Sequence, residues 1–185
     1  MSTSVKLKNV RLSFPDLFDA TQYQGVGPFR YNASFLIEPG SDNDKAVQAA
    51  ILEAANEKFG KKAGTVLAGM RGNSNKYCYV SGDTKDYDGY QGMMVLSAHR
   101  KQEAGRPLVI DGNKNPLRPE DGKPYAGCYV NATVDIYAQD GQNAGIRCGL
   151  KGVQFAGDGD AFSGSKVSTP EDFDIEEGAG AEDLA

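Results

Sequence analysis

Few residues of this chain could do bond chemistry. His99 is the only histidine, so any Ser-His or Cys-His arrangement must pass through it, and it lies in a strand pattern with no nucleophile beside it. It reads as a structural residue. Cys78, Cys128 and Cys148 are an odd number without CxxC spacing, which argues against a disulfide framework or a zinc knuckle and leaves three core thiols. The loop DTKDYDGY offers Asp83, Asp86 and Asp88, but a calcium-loop frame through Asp86, Asp88 and Gly89 puts Thr84 at the first ligand position and Val95 at the last. Gly159 to Lys166, GDAFSGSK, looks like a phosphate loop but reverses the Lys and the hydroxyl residue and follows no strand. No catalytic residue, metal or cofactor is expected, and no enzyme.

What remains is a set of aromatic residues interleaved with bases. Arg30 lies on one strand pattern, Arg71, Lys76, Tyr77 and Tyr79 on and before another, and Lys85, Tyr87 and Tyr90 in the loop that follows. Every nucleobase has a π-face, so a tyrosine platform holds unpaired bases without reading sequence, at about 1–3 kcal/mol per stacked base. Lys and Arg beside it contact phosphates and release counterions, while a duplex, already stacked, cannot use the rings. The pattern therefore points to single-stranded nucleic acid. Tyr129 and Tyr137 read instead as strand formers, and Phe29 and Tyr31 as core.

The elements that must position these side chains are mostly strands. VKLKNVRLSF alternates through Val5 and Leu7, then resumes one residue out of phase at Val10, Leu12 and Phe14, a strand with a bulge near Asn9. PFRYNASFLI sets Phe29, Tyr31, Ala33, Phe35 and Ile37 on one face and Arg30, Asn32 and Ser34 on the other. Ser41 and Asp44 offer a cap to a helix whose stripe is Ala46, Val47, Ala50, Ile51, Ala54 and Ala55, closed by Gly60, with a short second helix running to about Ala68. KYCYVS puts Cys78 and Val80 inside and leaves Tyr77 and Tyr79 outside. GMMVLSAHRK, Leu108–Ile110, YVNATVDIYA and GIRCGLKGVQF, the last shifting phase at Gly152, supply further strands. A mainly β chain with a helical insertion describes a small antiparallel barrel, with a β-sandwich as the alternative.

The chain has 185 residues and a formal net charge of −5, which alone speaks against a polyanionic partner. The charge is not evenly spread. From residue 155 onward nine acids face one base, a net −8, while the first 154 residues carry nineteen bases and sixteen acids, a net +3. The acidic part is rich in Gly, Ser and Ala, with too few apolar residues to offset its ordering entropy, and reads as a flexible tail. Such a tail either competes with a polyanion, binds partners, or keeps the protein in solution. The division expected is a binding body over 1–156 and a tail over 157–185. No apolar run reaches the length of a membrane span, so a soluble, cytoplasmic protein without a membrane partner is expected.

VKLKNVRLSFPDLF, PFRYNASFLI followed by Pro-Gly and DKAVQAAI, NKYCYVSGDTKDYDGY and the acidic end together resemble a phage-encoded family of single-stranded-DNA-binding proteins, formerly a domain of unknown function. The likeness covers residues 1 to about 155. It implies an OB-type barrel and a role in phage DNA replication or recombination, in the host cytoplasm. It also implies a tail that competes with DNA, limiting duplex binding, and recruits replication or recombination proteins through its apolar-acidic cluster Phe173, Asp174, Ile175, Glu176 and Glu177. The terminal Glu182–Ala185 departs from the Pro-Phe ending of bacterial single-strand binders. The expected site is Arg30, Arg71, Lys76, Tyr77, Tyr79, Lys85, Tyr87 and Tyr90, with single-stranded DNA as partner and the assembly state, homodimer included, left open. A phage structural or assembly protein without DNA affinity and a metal-dependent DNA-processing enzyme are the competing readings.

Overall fold

The computed structural model describes residues 2–87, 89–162, 170–176 and 178. Its strands are β1 (Ser2–Thr21), β2 (Arg30–Ile37), β3 (Tyr79–Ser81), β4 (Met94–Lys101), β5 (Leu108–Ile110), β6 (Tyr129–Gln139) and β7 (Gly145–Gly157), and its helices are α1 (Asp42–Phe59) and α2 (Ala63–Met70). They form one sheet in the order β3-β4-β2-β1-β6-β7-β5. The sheet closes because β4 also pairs with β7, in parallel, at His99 and Gly149. Strands β1, β2, β4, β7 and β6 are thus a closed five-stranded barrel of the OB type, and the sandwich alternative falls.

The alternation that identifies the strands also fills the barrel. Val130, Ala132, Val134 and Ile136 of β6 point inward with Tyr31, Ala33, Phe35 and Ile37 of β2 and Val5, Leu7, Val10 and Leu12 of β1. The phase shift in β1 is a bulge: its pairing with β6 jumps between Leu7 and Val10, and Asn9 adopts φ 53°. Asn43 at the start of α1 ties the bulge down, accepting from the Lys8 N–H at 3.0 Å and donating to the Lys8 carbonyl at 2.8 Å. The pairing of β6 with β7 shifts between Leu150 and Gly152, where the second phase change in the sequence falls. Helix α1 is capped by Ser41, buries Val47, Ala50, Ile51, Ala54 and Ala55 against the barrel, and leaves Ala46 exposed.

A second irregularity of β1 was not expected. Its pairing with β2 jumps between Ser13 and Asp16, and Phe14 takes φ 46°, which turns its ring out of the core phase to 53% exposure. Phe29, expected in the core, is also outside, at 48% exposure, because β2 begins only at Arg30.

The first residues of the segment read as flexible are tied to the barrel. Phe162 packs against the cluster of Leu36, Tyr90 and Val95, its N–H donates to the Ala126 carbonyl at 3.2 Å, and the Arg11 guanidinium lies 4.3 Å from its ring centroid. Arg11 Nε also donates to the Gly127 carbonyl at 2.9 Å, and the Tyr125 hydroxyl donates to Asp158 Oδ1 at 2.7 Å. Gly127 has φ 104° and lies so close to the backbone of Asp160 that a Cβ has no room, so a glycine is required where this strap crosses.

Candidate nucleic-acid interface

Residues 76–78 do not form the outer edge of a sheet. They are wedged between β4 and β7: the Cys78 N–H donates to the Ile146 carbonyl at 3.0 Å, the Ile146 N–H to the Lys76 carbonyl at 2.8 Å, and the Ser97 N–H to the Cys78 carbonyl at 2.9 Å. The barrel lies on one side of the segment and the helical insertion on the other. Tyr77, Cys78, Tyr79 and Val80 are all buried, Tyr77 at 7% and Tyr79 at 4% exposure. The expectation of a water-facing tyrosine pair is overturned, since alternation separates two faces only where one of them meets solvent.

Each buried hydroxyl has a neighbour that accounts for it. Tyr79 donates to Asp44 Oδ1 at 2.6 Å, and Asp44 further accepts from Gln48 Nε2 at 2.9 Å and from the Gly40 N–H at 2.8 Å. Burial alone would raise the Asp44 pKa, but these three bonds together hold it below the ordinary carboxylate value. Burial, reinforced by the Asp44 charge, raises the Tyr79 pKa. Burial also raises that of Tyr77, although the Arg71 guanidinium beside it pulls the other way. Tyr90 is buried as well, its hydroxyl donating to Ser13 Oγ at 2.7 Å while its ring covers Leu36 and Val95. None of these three rings can stack on a base.

The remaining expected residues lie in three places. Arg71 and Lys76 are exposed beside the helical insertion, and Lys85 is half-buried at the start of the loop. Tyr87 is 48% exposed; it packs edge-on against Tyr90 at 5.2 Å, and Phe14 packs edge-on against Tyr87 at 4.8 Å. Asp88 of this loop lies outside the described residues. Phe14 and Tyr87 form an aromatic ledge that the sequence pattern did not reveal, because Phe14 was in phase with the core.

Arg30 belongs to a third place, the outer face of β2 and β4. Register puts Arg30 beside Lys101, Asn32 beside His99, Ser34 beside Ser97 and Leu36 beside Val95. The last pair is roofed by Tyr90 and Phe162 and the others are open, so a polar track runs from the Phe14–Tyr87 ledge to the β1–β2 loop. That loop exposes Tyr23 at 71%, Val26 at 68% and Phe29 at 48%. Closure of the barrel adds β7, whose Gly149 lies beside His99, and with it Arg147 and Lys151, and next to them Tyr137 of β6 at 39% exposure. This is the strand 2–strand 3 face of an OB barrel with its two flanking loops.

The charges on this track are available. Among the described residues the one ion pair is Lys151 with Asp135, at 3.7 Å, which leaves Arg30 and Lys101 without a carboxylate partner. Arg147 is fixed by donating to the carbonyls of Asn75 at 2.6 Å and Asn143 at 3.2 Å. Asn32 donates to Asp16 Oδ2 at 3.0 Å and Thr21 Oγ1 at 3.1 Å, so its carbonyl oxygen faces His99 Nδ1 at 2.7 Å. That sets His99 as the Nδ1–H tautomer with Nε2 free to accept. Crowding by the packed face, then the charges of Arg30 and Arg147, lower the His99 pKa to about 4. At neutral pH it is an uncharged hydrogen-bonding group within a cationic row.

Of the tail cluster, Phe173 is 71% and Ile175 is 94% exposed, Asp174 and Glu176 are exposed, and Glu177 lies outside the described residues. Among the described residues no three His, Cys, Asp or Glu side chains are grouped to hold a metal ion, and no helix is long and apolar enough to cross a membrane.

Comparison with known proteins gives one family. The model described as "Enterobacter phage Enc34, ssDNA-binding protein" matches residues 3–185. The putative protein p50 of Acyrthosiphon pisum secondary endosymbiont phage 1 is 48% identical over 173 residues, 92% of either chain. Among solved structures, the single-stranded DNA-binding protein from bacteriophage Enc34 in complex with ssDNA superposes with a TM-score of 0.71 at 21% identity, over 86% of this chain and 89% of that one. The single-stranded DNA-binding protein gp2.5 of bacteriophage T7 shares the fold more distantly, with a TM-score of 0.51 at 10% identity over 96% and 97% of the two chains.

Proposed function

The chain belongs to the family of the Enterobacter phage Enc34 ssDNA-binding protein, and from that premise we propose that it binds single-stranded DNA without sequence preference along the outer face of β2, β4 and β7. Arg30 and Lys101, side by side in register and free of carboxylates among the described residues, carry this reading. They contact successive phosphates, Arg147 extends the positive row, and bases stack on the exposed rings at its ends, Phe14 with Tyr87 and Phe29 with Tyr23. Asn32 and neutral His99 offer hydrogen bonds to base edges or sugars between them. Of the residues expected from sequence, Arg30 and Tyr87 keep a place in this interface. Duplex DNA has no unstacked base to give the rings and gains only the phosphate contacts.

The protein acts as a strand-protecting component of phage DNA replication or recombination, not as an enzyme. The acidic tail is a tethered competitor: linked to the barrel, it is present near the cationic face at about millimolar effective concentration, enough to suppress weak duplex binding while tight single-strand binding persists. Its apolar-acidic cluster serves for recruiting partner proteins. Removal of residues 163–185, which keeps the Phe162 strap, is therefore expected to strengthen duplex binding most, and most visibly at low salt.

The test is a titration with labelled homopolymeric oligonucleotides of increasing length. Affinity should rise with length up to the site size, and Phe29→Ala and Tyr87→Ala should each weaken it by about 1–3 kcal/mol per base unstacked. Affinity independent of length would favour the structural or assembly reading, and strand cleavage on adding magnesium would favour the processing enzyme.

A further inference from the structure

The aromatic and basic residues that fail as a stacking platform do form a site of another kind. A cavity of about 550 Å³ opens between α1, α2 and the β3 edge, with Tyr77 and Tyr79 at its back, Leu67 and Met94 at its sides, and Leu52 and Arg71 at its mouth. Leu52 is 52% exposed, an unusual position for a large apolar side chain at the rim of an apolar hollow. Arg71 is exposed there, and Lys85 follows Thr84, another residue that lines it. Apolar walls below a cationic rim suit a short peptide that alternates apolar and acidic side chains.

The chain carries such a peptide. In Phe173-Asp174-Ile175-Glu176 an extended backbone sends Phe173 and Ile175 to one side and both carboxylates to the other. Both apolar side chains are exposed. The strap begins the tail near this edge of the sheet: Phe162 and Met93 both pack on the Leu36, Tyr90 and Val95 cluster, and the residue after Met93, Met94, lines the cavity. Ten residues lie between Phe162 and Phe173, so the two can stand up to about 36–40 Å apart when the chain is extended.

We propose that the tail has its own seat on the barrel, Phe173 and Ile175 entering the cavity between α1, α2 and β3, with Asp174 and Glu176 paired to Arg71 and Lys85. The seat lies away from the β2–β4 face, so a seated tail does not compete with DNA. At millimolar effective concentration an intrinsic dissociation constant of about 1 mM seats half of the tails. The size of the competing population is thereby set by the cavity, a regulation that rests on the tail being the competitor proposed above.

The full chain can be tested directly, because Cys78, Cys128 and Cys148 are all buried and a thiol label is directed to an added cysteine. A nitroxide on Ala179→Cys should broaden the side-chain NMR signals of Leu52, Leu67 and Met94 more than those of Arg30 and Lys101. Leu52→Glu, at an exposed position, and separately the tail pair Phe173→Ser with Ile175→Ser, should remove that broadening without lowering thermal stability. Even broadening over the surface, or broadening centred on the β2–β4 face, would overturn the seat. If the seat exists and the tail competes, unseating it should weaken duplex binding up to about twofold. Broadening at the cavity with no DNA affinity in any variant would keep the seat and refute the DNA-binding reading instead.

Discussion

Arg30 and Lys101 give the sharpest test of where DNA lies, because counterion release converts a count of phosphate contacts into a slope. On a single strand each neutralised phosphate contributes about −0.7 to the slope of log affinity against log salt. The two cations are register partners at the open end of the polar track, and neither has a carboxylate partner among the described residues. Arg30→Gln with Lys101→Gln should therefore make the slope shallower by about 1.4. Between 50 and 200 mM salt the wild type should lose about sevenfold more affinity than the double variant, which is well within the resolution of fluorescence anisotropy. Lys61→Gln with Lys62→Gln, two exposed positions beyond α1, changes the net charge equally and is the control. A slope reduced by the same amount in both pairs would mean that only overall charge matters, and an unchanged slope in the first pair would remove DNA from this face.

Three other outcomes follow from the geometry. Tyr79→Phe leaves Asp44 short of a charge-assisted bond and should cost about 1.5–3 kcal/mol, a fall of roughly 3–12 °C in melting temperature. Because Asp44 has its pKa lowered on folding, its contribution is present above the ordinary carboxylate value and is lost as pH falls through the folded one, so the gap between wild type and Tyr79→Phe should close in acid, as thermal melts across pH would show. Truncation after Ala156 removes the strap and the Phe162 part of the cover over Leu36 and Val95, and calorimetry should show about 2 kcal/mol less stability than truncation after Phe162. His99, with a pKa near 4, carries no charge at pH 7, so His99→Gln should leave the salt slope there unchanged; bound phosphates that stabilise its cation should make wild-type affinity rise relative to the variant as pH falls toward 5, checked by the same anisotropy titration.

The barrel was legible in the sequence because its strands have one wet face and one dry face. That condition holds along β6 and most of β2, where alternation named the inward residues correctly, and at the Asn9 bulge, where a change of phase is itself a signal. It fails at residues 76–80. There the chain is a stave between β4 and β7 under two helices, and burial on both sides erases the pattern that alternation needs. The same limit hid the make-up of the proposed interface. Arg30, Asn32 and Ser34 were correctly placed on an outer face, but that His99 and Lys101 stand beside them, and Arg147 beyond, depends on which strands pair and in what register. Spacing along one strand contains none of that. Phe14 adds a further case, since a single left-handed residue converts an apparent core position into an exposed ring. Composition identified the right ingredients for a single-strand binder, while closure of the barrel decided which rings meet water. Two surfaces result in place of one: a cationic face with rings at its ends that suits a strand, and an aromatic cavity under a basic rim that suits a peptide. The proposed tail carries both charge and apolar side chains, and if it addresses both surfaces its partition between them follows from the fold and not from a count of acids and bases in the sequence.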